Sequence, residues 1–174
     1  TVAWRQDGIL LTLGEPLELQ VTLEPAAVVL DTKQDMPTAR GVLSLVAAGG
    51  KLYALAGGAD PATGSSTVEV YNPATGSWSL GPTLPRPRAS ACAAAVGGLV
   101  FMIGGRNGNN VYHEVDVLDP AAGTWSSVDD LVVARYGLAC ASDGAKVYAL
   151  GGTSVLAPPH PGVTTGEAFD PTAP

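Results

Sequence analysis

The sequence predicts an all-β fold assembled from successive four-stranded antiparallel units, and three observations carry that prediction. The stretch "VEVYNPATGSW" at residues 68–78 returns 47 residues later as "VDVLDPAAGTW" at 115–125. The apolar segments are short, strand-length runs rather than long amphipathic stretches. The 22 glycines and 14 prolines are spread between those runs, where a chain of many short strands needs its turns.

Internal repeats decide such a fold, and several registers agree here. Gly57-Gly58 recurs as Gly104-Gly105 and Gly151-Gly152, both steps being 47 residues. Trp78 and Trp125 share that interval. Arg40, Arg88 and Arg135 each precede their Gly pair by a nearly constant interval, longer by one position for Arg40 than for the other two.

Taken in order, residues 1–35 depart most from the pattern. "TVAWRQDGILLTLGE" can be laid over "LACASDGAKVYALGG", with Asp7-Gly8 on Asp143-Gly144, and "AVVLDT" over "EVDVLDP". That reads as a degenerate first unit. The alternation in "LELQVTLE" supports the other reading, a separate β-hairpin. In 36–82, "GVLSLVAA" and "KLYALAGG" flank a Gly-Gly turn, and "STVEVYN" leads through "NPATGS" into "SWSL". The unit at 83–129 gives "SACAAAV", "LVFMIGG", "HEVDVLD" and "TWSSV" in the same order. The unit at 130–174 gives "YGLACAS", "KVYALGG" and "GEAFD" and ends at "FDPTAP", before its expected Trp strand. Its Asp143-Gly144 sits where the others have Gly-Gly, as two-residue hairpins with positive φ require.

The inner strands are almost continuously apolar, which fits sheets covered on both faces. One four-stranded unit cannot bury both of its faces alone, so it must stack on copies of itself, as the blades of a propeller do. The Gly pairs closing "YALAGG", "FMIGG" and "YALGG", followed by Tyr or Leu and then Trp, resemble the kelch repeat. The resemblance spans residues 36–174 and implies a kelch-type β-propeller whose ring is incomplete in this chain. More blades of a parent chain, or a second chain, are expected to finish it.

Composition narrows the function. A net charge of −7 with nine Lys and Arg provides no electrostatic footprint for nucleic acid or an anionic membrane. No apolar run approaches membrane-spanning length. Cys92 and Cys140 occupy equivalent positions on different blades, so they are expected to be separate buried thiols, consistent with a reducing compartment. His113 and His160 fall in loops of neighbouring blades, and no metal or other cofactor is expected. The Gly-rich segments "AGGADPATGSS" and "IGGRNGNN" do not open helices, as a phosphate-binding loop would. No catalytic residue is assigned.

The candidate site is the set Arg40, Arg88 and Arg135, one before each first strand. The resemblance implies that this strand lines the central channel. Three guanidiniums at one mouth would then recognise carboxylates of an acidic partner peptide, helped by Arg106 and Tyr112. The competing reading is that each Arg caps its own blade through backbone carbonyls. The resemblance implies a non-catalytic protein–protein interaction scaffold in cytoplasmic, cytoskeletal or ciliary assemblies. Its alternative is a sugar-active propeller enzyme, similar to a sialic-acid mutarotase or a galactose oxidase, for which Glu114 and His113 form the only adjacent acid–base pair.

Overall fold

The computed structural model describes residues 31–60 and 62–172 in full, together with the backbone of three earlier strands. The chain divides into two compact units, Thr1–Lys33 and Gln34–Pro174. The first holds an antiparallel sheet of β1 (Ala3–Gln6), β2 (Ile9–Leu13) and β3 (Leu19–Leu23), in that order. The strand expected at 27–32 lies, up to residue 30, outside the described residues.

The second unit is a row of blades. Blade one contains β4 (Ser44–Ala48), β5 (Lys51–Leu55), β6 (Val68–Asn72) and β7 (Ser77–Leu80), hydrogen-bonded in sequence order. Blade two starts with β8 (Cys92–Val96) and β9 (Leu99–Ile103). A short hairpin of β10 (Arg106–Asn107) and β11 (Asn110–Val111) follows, and then β12 (Val115–Asp119) and β13 (Thr124–Ser127) complete the sheet. Blade three has β14 (Ala139–Ser142), β15 (Val147–Leu150) and β16 (Gly166–Phe169), three strands among the described residues. No helix occurs among the described residues.

The apolar runs are explained by burial on both faces. Successive strand side chains point to opposite faces, and on β9 both are covered. Val100 and Met102 join Tyr53, Leu55, Val68 and Val70 in a core between blades one and two. Phe101 and Ile103 join Val115, Val117, Val147 and Ala149 in a core between blades two and three. All four of these β9 side chains are at most 2% exposed, and burying each is worth about 1.5–3 kcal/mol. Blade two is therefore held by both neighbours. The ring itself is not closed: Leu45 on blade one and Leu150 on blade three are more than half exposed.

The structure shifts one register. Left-handed φ angles fall at Gly104-Gly105 (60° and 98°) and Gly151-Gly152 (66° and 86°), but in blade one at Ala56-Gly57 (60° and 78°). The isolated bridges Gly41↔Gly58, Ala89↔Arg106 and Tyr136↔Thr153 confirm that Gly58 is the counterpart of Arg106 and Thr153. Gly57-Gly58 is thus one position out of step with the other two pairs. Measured to the left-handed pair, each Arg stands the same distance upstream in all three blades. The extra position of blade one falls in the loop that follows.

Candidate functional site

Each blade is a meander, so its connections alternate between two ends. Tight turns at Gly49-Gly50, Gly97-Gly98 and Asp143-Gly144, with those at 73–76 and 120–123, share one end. The long loops after the second strands and the links between blades share the other, where unequal loop lengths place the variable chemistry.

At the loop end the three arginines turn inward. Arg40 donates from Nη1 to Glu69 Oε2 (2.9 Å) and from Nη2 to the Ala54 carbonyl (3.0 Å). Arg88 pairs with Asp116 through Nη2, and its Nη1 donates to the carbonyls of Gly104 (3.0 Å) and Glu114 (3.3 Å). Arg135 pairs with Glu167 and donates to the carbonyls of Thr165 (2.8 Å) and Gly151 (3.3 Å). Burial pushes the Arg88 guanidinium below the ordinary arginine range, against the pull of Asp116.

Arg88 and Arg135 are wholly buried and the Arg40 side chain is 2% exposed, so the expected ring of three guanidiniums around one mouth is corrected. Each Arg donates to backbone carbonyls of its own blade, as the capping reading requires. Each also neutralises a carboxylate that the sequence reading did not single out. Glu69, Asp116 and Glu167 are the second residues of β6, β12 and β16. The acid repeated in "VEVYN", "VDVLD" and "GEAFD" was the signal for them.

The cysteine expectation is also corrected. Cys92 and Cys140 form a disulfide with Cα atoms 5.6 Å apart. In the structural register Cys92, opposite Ile103, corresponds to Ala139 and not to Cys140, which stands opposite Ala149. This one-position offset turns the two side chains towards each other in the core between blades two and three, where β8 and β14 pack directly together. The free-thiol argument for a reducing, cytoplasmic setting goes with it.

The remaining candidates lie at the loop end in half-buried positions. Tyr112 lies beneath the Arg88 guanidinium, 5.2 Å from its ring centroid. Arg106 lies over the Tyr136 ring at 4.8 Å. The Tyr136 hydroxyl donates to the Val155 carbonyl (3.1 Å) and lies 3.5 Å from His160 Nδ1. The hairpin from β10 to β11 also locks onto blade one, with Gly108 N–H donating to the Ala62 carbonyl (2.7 Å) and Gly64 N–H to Asn107 Oδ1 (3.0 Å).

The groups weighed for catalysis do not converge. Glu114 is held 3.5 Å from Arg86, while His113 pairs with Asp130 at 3.2 Å.

The outer tryptophans fill equivalent structural positions. Trp78 Nε1 donates to the Gln34 carbonyl and Trp125 Nε1 to the Pro82 carbonyl, both at 3.0 Å. Trp125 also packs against the core between blades one and two. The kelch motif matches the chain twice, at residues 43–85 and 87–131, just over half of its length. No curated protein matches the chain.

Proposed function

The chain belongs to the kelch-repeat family, and we propose that it is a non-catalytic protein–protein interaction scaffold, contributing blades of a propeller to a larger assembly. Kelch repeats are generally protein-interaction modules. The observation that carries the reading is the way the loop end is built. Three buried Arg–carboxylate pairs fix the blade frame, while loops of different length and composition extend from it. A rigid frame that presents variable loops suits recognition, because little ordering entropy is lost on binding.

Within that face, Tyr112, Tyr136 and His160 offer amphipathic side chains of the kind that anchor interfaces. Arg106, stacked on Tyr136, is the cation through which an acidic partner segment would be recognised. Arg40, Arg88 and Arg135 act indirectly, by holding the loops. Further blades, from a parent chain or a second chain, would close the ring.

The test is site-specific photo-crosslinking in cells, with a photoreactive residue replacing Tyr112 in one variant and Ala74, at the turn end, in another. A defined protein adduct from position 112 and none from position 74 is expected. Adducts of equal yield from both positions, or none from 112, would refute the assignment.

A further inference from the structure

The hairpin of β10 and β11 carries the chain's one Asn-Gly dipeptide, Asn107-Gly108. An asparagine in front of glycine is open to attack by the backbone nitrogen that follows it, because no Cβ on the glycine crowds the approach. Two movements are required for that attack. The Gly108 nitrogen must lose its proton, and the Asn107 side chain must bring its carboxamide carbon onto that nitrogen.

The fold withholds both. Gly108 N–H donates to the Ala62 carbonyl at 2.7 Å, and Asn107 Oδ1 accepts from the Gly64 N–H at 3.0 Å. Both partners belong to the long loop after β5, so blade one holds the two reacting groups of blade two. Asn107 is half-buried and stands opposite Asn110 in the hairpin. The blade-one loop is shaped at this point by Asp60. Its Oδ1 accepts from the Ala62 N–H at 2.7 Å and its carbonyl from the Thr63 N–H at 3.1 Å. No strand of the four-stranded sheets takes part in the contact, so it can open locally while the blades stay folded.

We infer that Asn107 is a self-modification site gated by the contact between blades one and two, deamidating when that contact opens and protected while it is closed. In the open state a bond forms between Gly108 N and Asn107 Cγ, and the Cγ–Nδ2 bond breaks. The side-chain nitrogen leaves as ammonia, carrying the proton that Gly108 N gives up. Water then opens the cyclic imide at one of its two carbonyls and leaves aspartate or isoaspartate at position 107, with no oxidant or reductant involved. Isoaspartate routes the main chain through Cγ and adds a backbone atom ahead of Gly108. The pairs Arg106↔Val111 and Asn107↔Asn110 then lose their register, and Gly108 N–H no longer meets the Ala62 carbonyl. Arg106 keeps its backbone bonds to Ala89, so the change stays in the hairpin tip and the frame survives. Its effect on recognition rests on the loop-end reading; the chemistry does not.

The folded chain and the peptide GGRNGNNVY, which is its residues 104–112 outside the fold, are incubated in one buffer at neutral pH. Mass spectrometry follows deamidation, and enzymatic methyl transfer counts isoaspartate. Asn107 is expected to react at least about tenfold more slowly in the chain than in the peptide. The Gly108 amide is expected to be protected from hydrogen exchange by a similar factor, since both reactions need the same opening. Asp60→Ala, on an exposed residue of the blade-one loop, is expected to raise both rates together several-fold. Equal deamidation in chain and peptide, an unprotected Gly108 amide, or a variant whose Gly108 exchange rises while its deamidation does not would each overturn the gate. An isoaspartyl chain in which Gly64 and Gly108 remain as protected as before would overturn its structural consequence. None of these readouts involves a partner, so failure of the loop-end reading would leave them unchanged.

Discussion

Replacing Arg40 by Met tests whether the arginines are frame or binding site. Both members of the Arg40–Glu69 pair are out of water, with side chains 2% and 1% exposed. Without the guanidinium, the Ala54 carbonyl loses its donor and the Glu69 carboxylate keeps the Thr38 hydroxyl at 2.7 Å. Breaking one side of a buried pair costs about 3–5 kcal/mol. The Thr38 hydrogen bond offsets part of this, so Arg40→Met is expected to cost about 3–4 kcal/mol. With a urea m-value of about 2 kcal/mol/M, the unfolding midpoint falls by roughly 2 M. Adding Glu69→Leu removes the stranded charge, and the double variant is expected to recover most of the loss. Arg88→Met leaves a different situation, because Asp116 retains Arg86 at 2.6 Å and Ser127 at 3.3 Å. Urea unfolding followed by circular dichroism reads all three. The reasoning fails if Arg40→Met changes stability by less than about 1 kcal/mol, or if the double variant is as unstable as the single.

Three further outcomes are expected. Gly57→Ala forces a side chain into φ +78° and places its Cβ 2.5 Å from the Gly41 carbonyl oxygen; a loss of about 3 kcal/mol is expected. Gly97→Ala, at φ +61° with nothing within 4 Å, serves as the control and costs about 1–2 kcal/mol, both read by the same urea unfolding. Reducing the Cys92–Cys140 bridge releases a loop spanning 48 residues of sequence separation, worth at most about 4 kcal/mol, so dithiothreitol lowers the urea midpoint of the wild type and leaves Cys92→Ala/Cys140→Ala unchanged. Asp143 accepts from the backbone N–H groups of Lys146 and Ala145 and from the Tyr148 hydroxyl, which hold its carboxyl at about 2 against an ordinary 3.8. A depressed carboxyl stabilises the fold above its ordinary value and loses that contribution as pH falls from about 4 towards 2; an NMR titration midpoint for Asp143 near 4 would contradict the turn geometry.

Features that recur in sequence were also the most legible in it. The strands from "GVLSLVAA" to "GEAFD" and the Trp positions follow from periodicity and turn chemistry, because both arise from local backbone demands. The Gly57-Gly58 register misled because glycine identity and left-handed conformation part company in blade one. Ala56 adopts φ 60°, and Gly58 is required by close approach of the 63 carbonyl instead. The arginines illustrate a different limit. A guanidinium at a strand entrance reads the same whether it faces a channel or a carboxylate. Only the third strand of the blade, well separated in sequence, decides between them. The disulfide depended on how closely first strands of neighbouring blades pack and on a separation of 48 in a 47-residue repeat, an offset that turns the two cysteines towards each other.

The central claim is that recognition resides in the loop end, held by an internal Arg–carboxylate frame. It is tested most directly by amide exchange of the chain bound to the protein recovered by cross-linking at position 112. Protection is predicted at 105–112 and 153–160, with the turns at 73–76 and 143–145 unchanged. Protection at those turns, with the loops unaffected, would contradict the account.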